Sequence, residues 1–435
     1  MKTLYRLLFY LALTSIIRAE ESGDAGLEAP GTRISLREVT SVVLANNPGI
    51  QQALRKWGAA KERVTQEAAW DDLRISGSSR AARFVDVAPN AFTDQIVSVE
   101  QLIPITGKNL LRARVAAADA LSVYEEARRT QLDVLSKTRA SYFRLVNAHA
   151  QLELNRKNLI SLRQIAEVSR SRYEVGKSNA AEPLAAEVEA SKLLESEQDI
   201  LRNVSAEQSQ LNVLMNRDAF AAVGQPEETK IKSLNLSMEG ARALALANRP
   251  EMKIAHAKID MEKSRLELSR RNWIPDPAVT VQAQRYNDSA QAASEVDAGI
   301  SFTVPWVNPR KYSAAVREAK ENLAAAQHAF ERTNSESLGL LRDALEKVHT
   351  AKHHVDLFRD KLVPQARQAF EANQLSYETD KASFLEWITA QRNLRDLEAM
   401  GQQHVADYYA ALAELEAVVG ADLNLFPSIK AKETK

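Results

Sequence analysis

Apolar residues along this chain recur with two different periods, and the switch between them marks out its elements. Over most of its length they fall at intervals of three and four. Val316, Ala319, Leu323, Ala326 and Phe330 step in this way, as do Val405, Tyr408, Leu412, Leu415 and Val419. This is the a/d spacing of a coiled-coil helix. Four short stretches follow a period of two instead. In the clearest, Val296, Ala298, Ile300, Phe302 and Val304 are apolar, while Asp297, Gly299, Ser301 and Thr303 between them are small or polar. That pattern predicts a strand at about 296–304 with one wet face. A weaker alternation (Val279, Val281, Ala283) predicts its partner at about 278–286, and counterparts fall at about 73–85 and 93–103, where Val97, Val99 and Ile103 share a face. Each stretch is roughly ten residues, the length a tilted strand needs to cross a bilayer. Asp86–Asn90 and Asn287–Gln291 between the partners are turn material.

The remaining pattern predicts helices over Leu36–Trp70 and Ser237–Trp273, and a very long one from Lys108 to Arg172 with no internal Gly or Pro. At 1.5 Å per residue that helix is roughly 100 Å long. Pro364 interrupts the matching helix of the second half and should kink or restart it.

These elements come twice in the same order. Leu36-Arg-Glu-Val-Thr-Ser-Val-Val-Leu-Ala-Asn-Asn-Pro48 is echoed by Met238-Glu-Gly-Ala-Arg-Ala-Leu-Ala-Leu-Ala-Asn-Arg-Pro250, and Val99–Lys108 by Ile300–Lys311. Tyr173-Glu-Val-Gly-Lys177 is matched by Tyr377-Glu-Thr-Asp-Lys381. The offset stays near 200 residues, so this is a duplicated domain and not a solenoid of short units. The predicted organisation is a signal peptide (1–19), a flexible lead (20–35), a first repeat (36–216), a linker (217–236), a second repeat (237–420) and a tail (421–435).

The signal peptide rests on Lys2 and Arg6, the apolar run Leu7–Ile17, and Ala19 before Glu20-Glu21. Its apolar core is too short to span a bilayer as a helix. Among the 435 residues there are 57 Lys+Arg against 57 Asp+Glu, and no Cys. A balanced charge lacks the basic footprint of a nucleic-acid binder. An exported chain without Cys has no disulfides, so packing and assembly must hold it.

Four strands are too few to close a barrel, and an open sheet edge in lipid leaves backbone groups unpaired at several kcal/mol each. Other copies must complete it, and three chains give twelve strands. Long, Ala-rich, two-sided helices likewise close only by repetition about an axis. The predicted fold is therefore mainly α with a small β part: duplicated long helical hairpins of a closed homo-oligomer, joined to a transmembrane β-barrel with four strands per chain. With three copies these form a trimeric α-barrel and a 12-stranded β-barrel.

The chain resembles the TolC family of outer-membrane efflux proteins. The resemblance is carried by the openings Leu44–Pro48 and Leu246–Pro250 and by the strand-to-helix passages Gln101–Gly107 and Phe302–Asn308. It is carried as well by the hairpin tips Tyr173–Pro183 and Tyr377–Trp387, the second most like the heavy-metal-efflux branch. The resemblance sets the number of copies at three: it implies a homotrimer in the outer membrane of a Gram-negative bacterium, with a large periplasmic part. Its partners would be a periplasmic adaptor, an inner-membrane pump and outer-membrane lipid. It further implies a pore shut at the periplasmic tip, with Glu386 at the constriction and Tyr377, Glu182 and Lys381 as closing contacts. Three copies of Glu386 near an axis would favour cations and raise one another's pKa. Thr389 and Ala382 depart from the family pattern, in which an acidic and a basic residue stand there.

Trp70, Trp273 and Trp306 flank the predicted strands and suit a membrane-interface belt. His349 and His353 are one turn apart, but without an acidic or thiol partner they read as a solvated face. No Gly-x-Gly-x-x-Gly, Walker, Gly-x-Ser-x-Gly or His-Glu-x-x-His motif occurs, so the chain reads as a non-enzyme without a cofactor. The rival reading is a periplasmic coiled-coil adaptor or scaffold, which two separated strand pairs disfavour.

Overall fold

The structure is a computed structural model that describes residues 33–79, 94–227, 236–288 and 291–423. The expected signal peptide, most of the lead, the loop 86–90 and nearly all of the tail lie outside these residues. Arg33–Ile34 (β1) leads into Leu36–Asn46 (α1) and Pro48–Ala68 (α2), followed by Arg74–Ser79 (β2), Asp94–Leu102 (β3), Lys108–Glu174 (α3) and Ala181–Leu214 (α4). The order then repeats: Gln225–Pro226 (β4), Met238–Asn248 (α5), Pro250–Arg271 (α6), Pro277–Asp288 (β5), Gln291–Phe302 (β6), Pro309–Leu357 (α7), Val363–Glu378 (α8) and Phe384–Val419 (α9).

Two expectations need correction and a third is sharpened. The helices expected over Leu36–Trp70 and Ser237–Trp273 are each broken in two. Proline has no N–H and pushes the preceding residue into extended backbone. Asn47 (φ −62°, ψ 121°) and Arg249 (φ −60°, ψ 125°) adopt that conformation. Asn47 uses the break, accepting from the Gly49 and Ile50 amides and donating to the Leu214 carbonyl at 2.8 Å. Secondly, the lead is not flexible to residue 35. β1 pairs in parallel with β4 of the linker, and the buried Tyr142 hydroxyl lies 2.9 Å from the Ile34 carbonyl and 2.8 Å from that of Glu227. Ile34 is buried in the core, which is what holds the lead there. Thirdly, Pro364 restarts the α-helix, one of its two expected effects: α8 begins at Val363, with no gap before it. A π-helical turn, Phe358–Leu362, carries α7 into α8. Its wider turn sits where the proline ring would otherwise meet the carbonyl of Asp360.

The chain divides into two compact units. One comprises Gln52–Arg129 and Leu246–Leu338. It contains the antiparallel sheet β2-β3-β5-β6, in which β2 and β6 are the edges. Its register sorts the side chains. Ile75, Val99, Val281 and Ala298 stand in one cross-strand row, Gly77, Val97, Ala283 and Val296 in another, and Val279 faces Ile300. The intervening rows carry Ser76, Ser98, Gln282 and Asp297, then Arg74, Glu100, Thr280 and Gly299. One face is thus mainly apolar, with Gln101 in the Val279–Ile300 row and Gln95 beside Arg285 farther along. The other is mainly polar, with Ile96 among its residues. Ile300 is 72% exposed. At the foot of the sheet, Asp276 accepts from the Thr106 amide (3.0 Å) and hydroxyl (2.7 Å) and pairs with Lys108 at 3.0 Å. This knot ties the strand-to-helix passage of the first repeat to the helix-to-strand passage, between α6 and β5, of the second. In the same unit Trp57 packs on Tyr124 with ring centroids 5.0 Å apart, joining α2 to α3.

The other unit comprises Met1–Gln51, Thr130–Ala245 and Gly339–Lys435. Its main core gathers Val39 and Val43 of α1, Leu145 of α3, Leu211 of α4, Ala245 of α5, Leu341 and Val348 of α7, and Leu412 and Leu415 of α9. The expected 405–419 seam contributes Leu412, Leu415 and Val419 to it. A buried pair, Arg139 with Glu416 at 2.7 Å, lies between α3 and α9, and burial pushes the Glu416 carboxyl up. A second apolar cluster sits toward the hairpin turns.

The apolar rows make a test. An aspartate at Ile300 would put a carboxylate on the apolar face and, if that face meets lipid, would cost roughly 1–3 kcal/mol per copy near the midplane. Ile300→Asp should reduce outer-membrane oligomer, read by membrane fractionation and oligomer mass. Normal assembly would count against that face meeting lipid.

Candidate functional site at the hairpin turns

The turn between α3 and α4 and the turn between α8 and α9 are built alike. In the first, the Lys177 amide donates to the Arg172 carbonyl at 2.8 Å, and Gly176 takes φ 71°. In the second, the Lys381 amide donates to the Ser376 carbonyl at 2.7 Å, and Asp380 takes φ 60°. Glycine visits this left-handed region without penalty and aspartate is among the few others that tolerate it.

The two turns then diverge at equivalent positions. α9 opens with a capping box. Ser383 Oγ accepts from the Glu386 amide at 3.3 Å, and the Glu386 carboxylate accepts from the Ser383 amide (2.7 Å) and hydroxyl (3.0 Å). Those bonds, the backbone one foremost, hold the exposed Glu386 carboxyl below its ordinary range. Within one chain its shift is therefore opposite to the rise expected from crowding. At the start of α4, Asn179 stands where Ser383 would be and accepts from the Ala181 amide at 2.9 Å. Glu182, the counterpart of Glu386, is not used as a cap. Its carboxylate accepts a 2.6 Å hydrogen bond from the Tyr377 hydroxyl.

Tyr377 is 4% exposed, whereas Tyr173, its counterpart, is 48% exposed. The Tyr377 ring stacks on Trp387 at 5.0 Å, and the Arg172 guanidinium lies 4.7 Å from its centroid. Burial, then the Glu182 carboxylate, raise the Tyr377 phenol above its ordinary value, so it stays a donor. Arg172 also pairs with Asp380 and reaches the Glu378 carbonyl at 3.4 Å. Each of these contacts links the first repeat's hairpin to the second's.

Lys381 does not take part as expected. Its backbone closes the turn, but its side chain makes no hydrogen bond or ion pair among the described residues. Arg172 occupies the basic role, because it lies within reach of the Asp380 carboxylate. Arg172 was missed in the sequence, although it stands next to Tyr173 in the quoted motif. Glu189 was missed too. Its side chain is 3% exposed and it meets Lys192 (2.7 Å), Arg392 (2.9 Å) and Arg395 (3.7 Å). These contacts together hold its carboxyl low against the opposing effect of burial, which is the largest single influence.

Trp70 and Trp306 are exposed, and Trp273 is half-buried against Tyr312 at 5.6 Å. His349 and His353 are exposed, while the His354 ring lies 4.9 Å from that of His404. No cluster of three metal-ligating side chains occurs among the described residues, and no described helix is long and apolar enough to cross a membrane.

A model of the outer membrane efflux protein family matches residues 39–217 and 241–421, one match per repeat. The chain belongs to the outer membrane efflux protein family. Its place is the outer membrane and its function is efflux, as a channel subunit. Solved structures share the fold. CusC aligns with a TM-score of 0.80 at 15% identity, covering 93% of this chain and 97% of that one. The outer-membrane channel OprN gives 0.75 at 14%, over 93% and 96%. VceC of Vibrio cholerae gives 0.75 at 16%, over 89% and 96%. No curated protein matches the sequence.

Two outcomes follow for this member of the efflux family. Tyr377→Phe removes a hydrogen bond to a charged acceptor, a loss of about 1.5–3 kcal/mol. It should lower the free energy of unfolding by that amount, measured by denaturation of the intact oligomer. The Glu386 cap, with its value depressed on folding, stabilises α9 above the ordinary carboxylate range and is lost as pH falls through the depressed value. Ser383→Ala should move that loss to higher pH, read by hydrogen exchange in the first turn of α9.

Proposed function

We propose that three copies of this chain form one passive exit duct, through which cargo crosses the periplasm and the outer membrane. The observation that carries this reading is the four-stranded sheet with one mainly apolar face, one mainly polar face and two edges, β2 and β6. In lipid each edge has to find a strand. A threefold ring supplies it and turns the polar rows toward water. The energy comes from an inner-membrane pump, joined to the duct by a periplasmic adaptor. The chain itself has no catalytic role.

In this reading the hairpin turns are the periplasmic gate. Tyr377, Glu182 and Arg172 tie the second hairpin to the first, and Glu386 lines the constriction. The capping box supports that placement, because it fixes the carboxylate at the end of α9 instead of letting it swing on a free side chain. A ring of such carboxylates concentrates negative potential and favours cations. Metal cations are the cargo proposed on that ground. Trp70 and Trp306 would sit at the membrane interface, with their indole N–H groups in the headgroup layer.

Conductance of the purified protein in planar bilayers, with oligomer mass in parallel, tests the proposal. The expected result is a trimer with small, cation-selective openings. A monomer or dimer without conductance would transfer the assignment to a periplasmic scaffold. Glu386→Gln should reduce cation selectivity without changing oligomer mass. Unaltered selectivity would remove Glu386 from the constriction.

A further inference from the structure

Glu182 and Glu189 stand seven residues apart on α4, so they share one face, roughly 10 Å apart along the helix. Between them Ala186 is fully buried, and this stripe packs in the cluster that contains Tyr377, Phe384, Trp387 and Ile388 of the second hairpin. A carboxylate in such a stripe is expensive unless it is paired. Glu189 is paired three times. Lys192 comes from its own helix, while Arg392 and Arg395 come from α9, the helix that Glu386 opens. Arg395 is oriented in turn by Asp396 at 2.9 Å.

We propose that Glu189 is a positioning residue of the gate, clamping α9 to α4 about two helical turns from the Tyr377–Glu182 bond. The proposal rests on the reading of the hairpin turns as a gate. The Tyr377–Glu182 bond ties α8 to α4 and by itself leaves α9 free to swing about the turn. The Glu189 cluster ties α9 to the same helix and fixes its direction, and with it the position of Glu386. Opening then requires both the phenol–carboxylate bond and the ionic cluster to break.

The test is single-channel recording of the full-length protein in planar bilayers, with oligomer mass and thermal midpoint determined for each variant. The variants are Glu189→Gln, the pair Arg392→Gln with Arg395→Gln, all three together, and Tyr377→Phe. Glu189→Gln is expected to raise open probability about tenfold, corresponding to about 1.4 kcal/mol, at unchanged oligomer mass. The triple variant should add little to it, as for residues that act through one another. If Glu189→Gln does not assemble, the arginine pair, whose side chains are partly exposed, carries the same expectation. A lowered thermal midpoint with open probability unmoved would make Glu189 purely structural and overturn the proposal. Should Tyr377→Phe open the channel while the Glu189 and arginine variants do not, the clamp is refuted and the gate stands. If none of the variants alters opening, the gate reading itself fails.

Discussion

Every backbone N–H and C=O that enters hydrocarbon must find a partner within protein, and this constraint governs the rest of the molecule. Four strands satisfy it only internally, leaving β2 and β6 each with one unpaired side in the sheet. The apolar rows led by Val99 and Val97 have no water-soluble use. The polar rows led by Ser98 and Glu100 have no lipid-soluble one. Closure by identical copies answers both demands, and long helices that continue from the strands inherit the same repetition.

In the helical unit the chemistry is one of seams and not of faces. The main core of the helical unit is aliphatic, with Val43, Leu145, Leu211 and Leu412 interlocked, and such packing is hard to undo reversibly. Near the turns a smaller apolar cluster is joined by polar contacts between the hairpins: a phenol on a carboxylate, a guanidinium over a ring, a carboxylate among three cations. Polar ties of this kind have water as an alternative partner, so their net worth is small relative to an aliphatic core. A structure that must hold at one level and part at another is served by that gradient.

Much of this was legible in the sequence because periodicity reports burial. The alternation at Val296–Phe302 gave the strand, and Leu412, Leu415 and Val419 gave the seam. The breaks at Asn47 and Arg249 were also written there, in Pro48 and Pro250, but the helical pattern continued through them and masked the interruption. Legibility ended where a contact depends on which residues of distant segments meet. Tyr377 and Glu182 could be linked only through a family resemblance. Arg172, Glu189 and Arg392 looked like ordinary helix charges, because nothing local distinguishes a buried ion pair from a solvated one. Lys381 meets the same limit: adjacency in sequence to a basic position says little about where a flexible side chain ends, and within one chain it is Arg172 that reaches Asp380.

The divergence of the two turns has a consequence for symmetry. In the proposed trimer a chain written twice would carry six related turns about one axis. Asn179 in place of Ser383 releases Glu182 to the neighbouring hairpin, while Glu386 stays bound to its own helix start. The six turns therefore alternate between two chemical kinds. The difference at the helix cap would thus leave such a ring with threefold and not sixfold order, and any sixfold body seated on it would meet two sorts of socket.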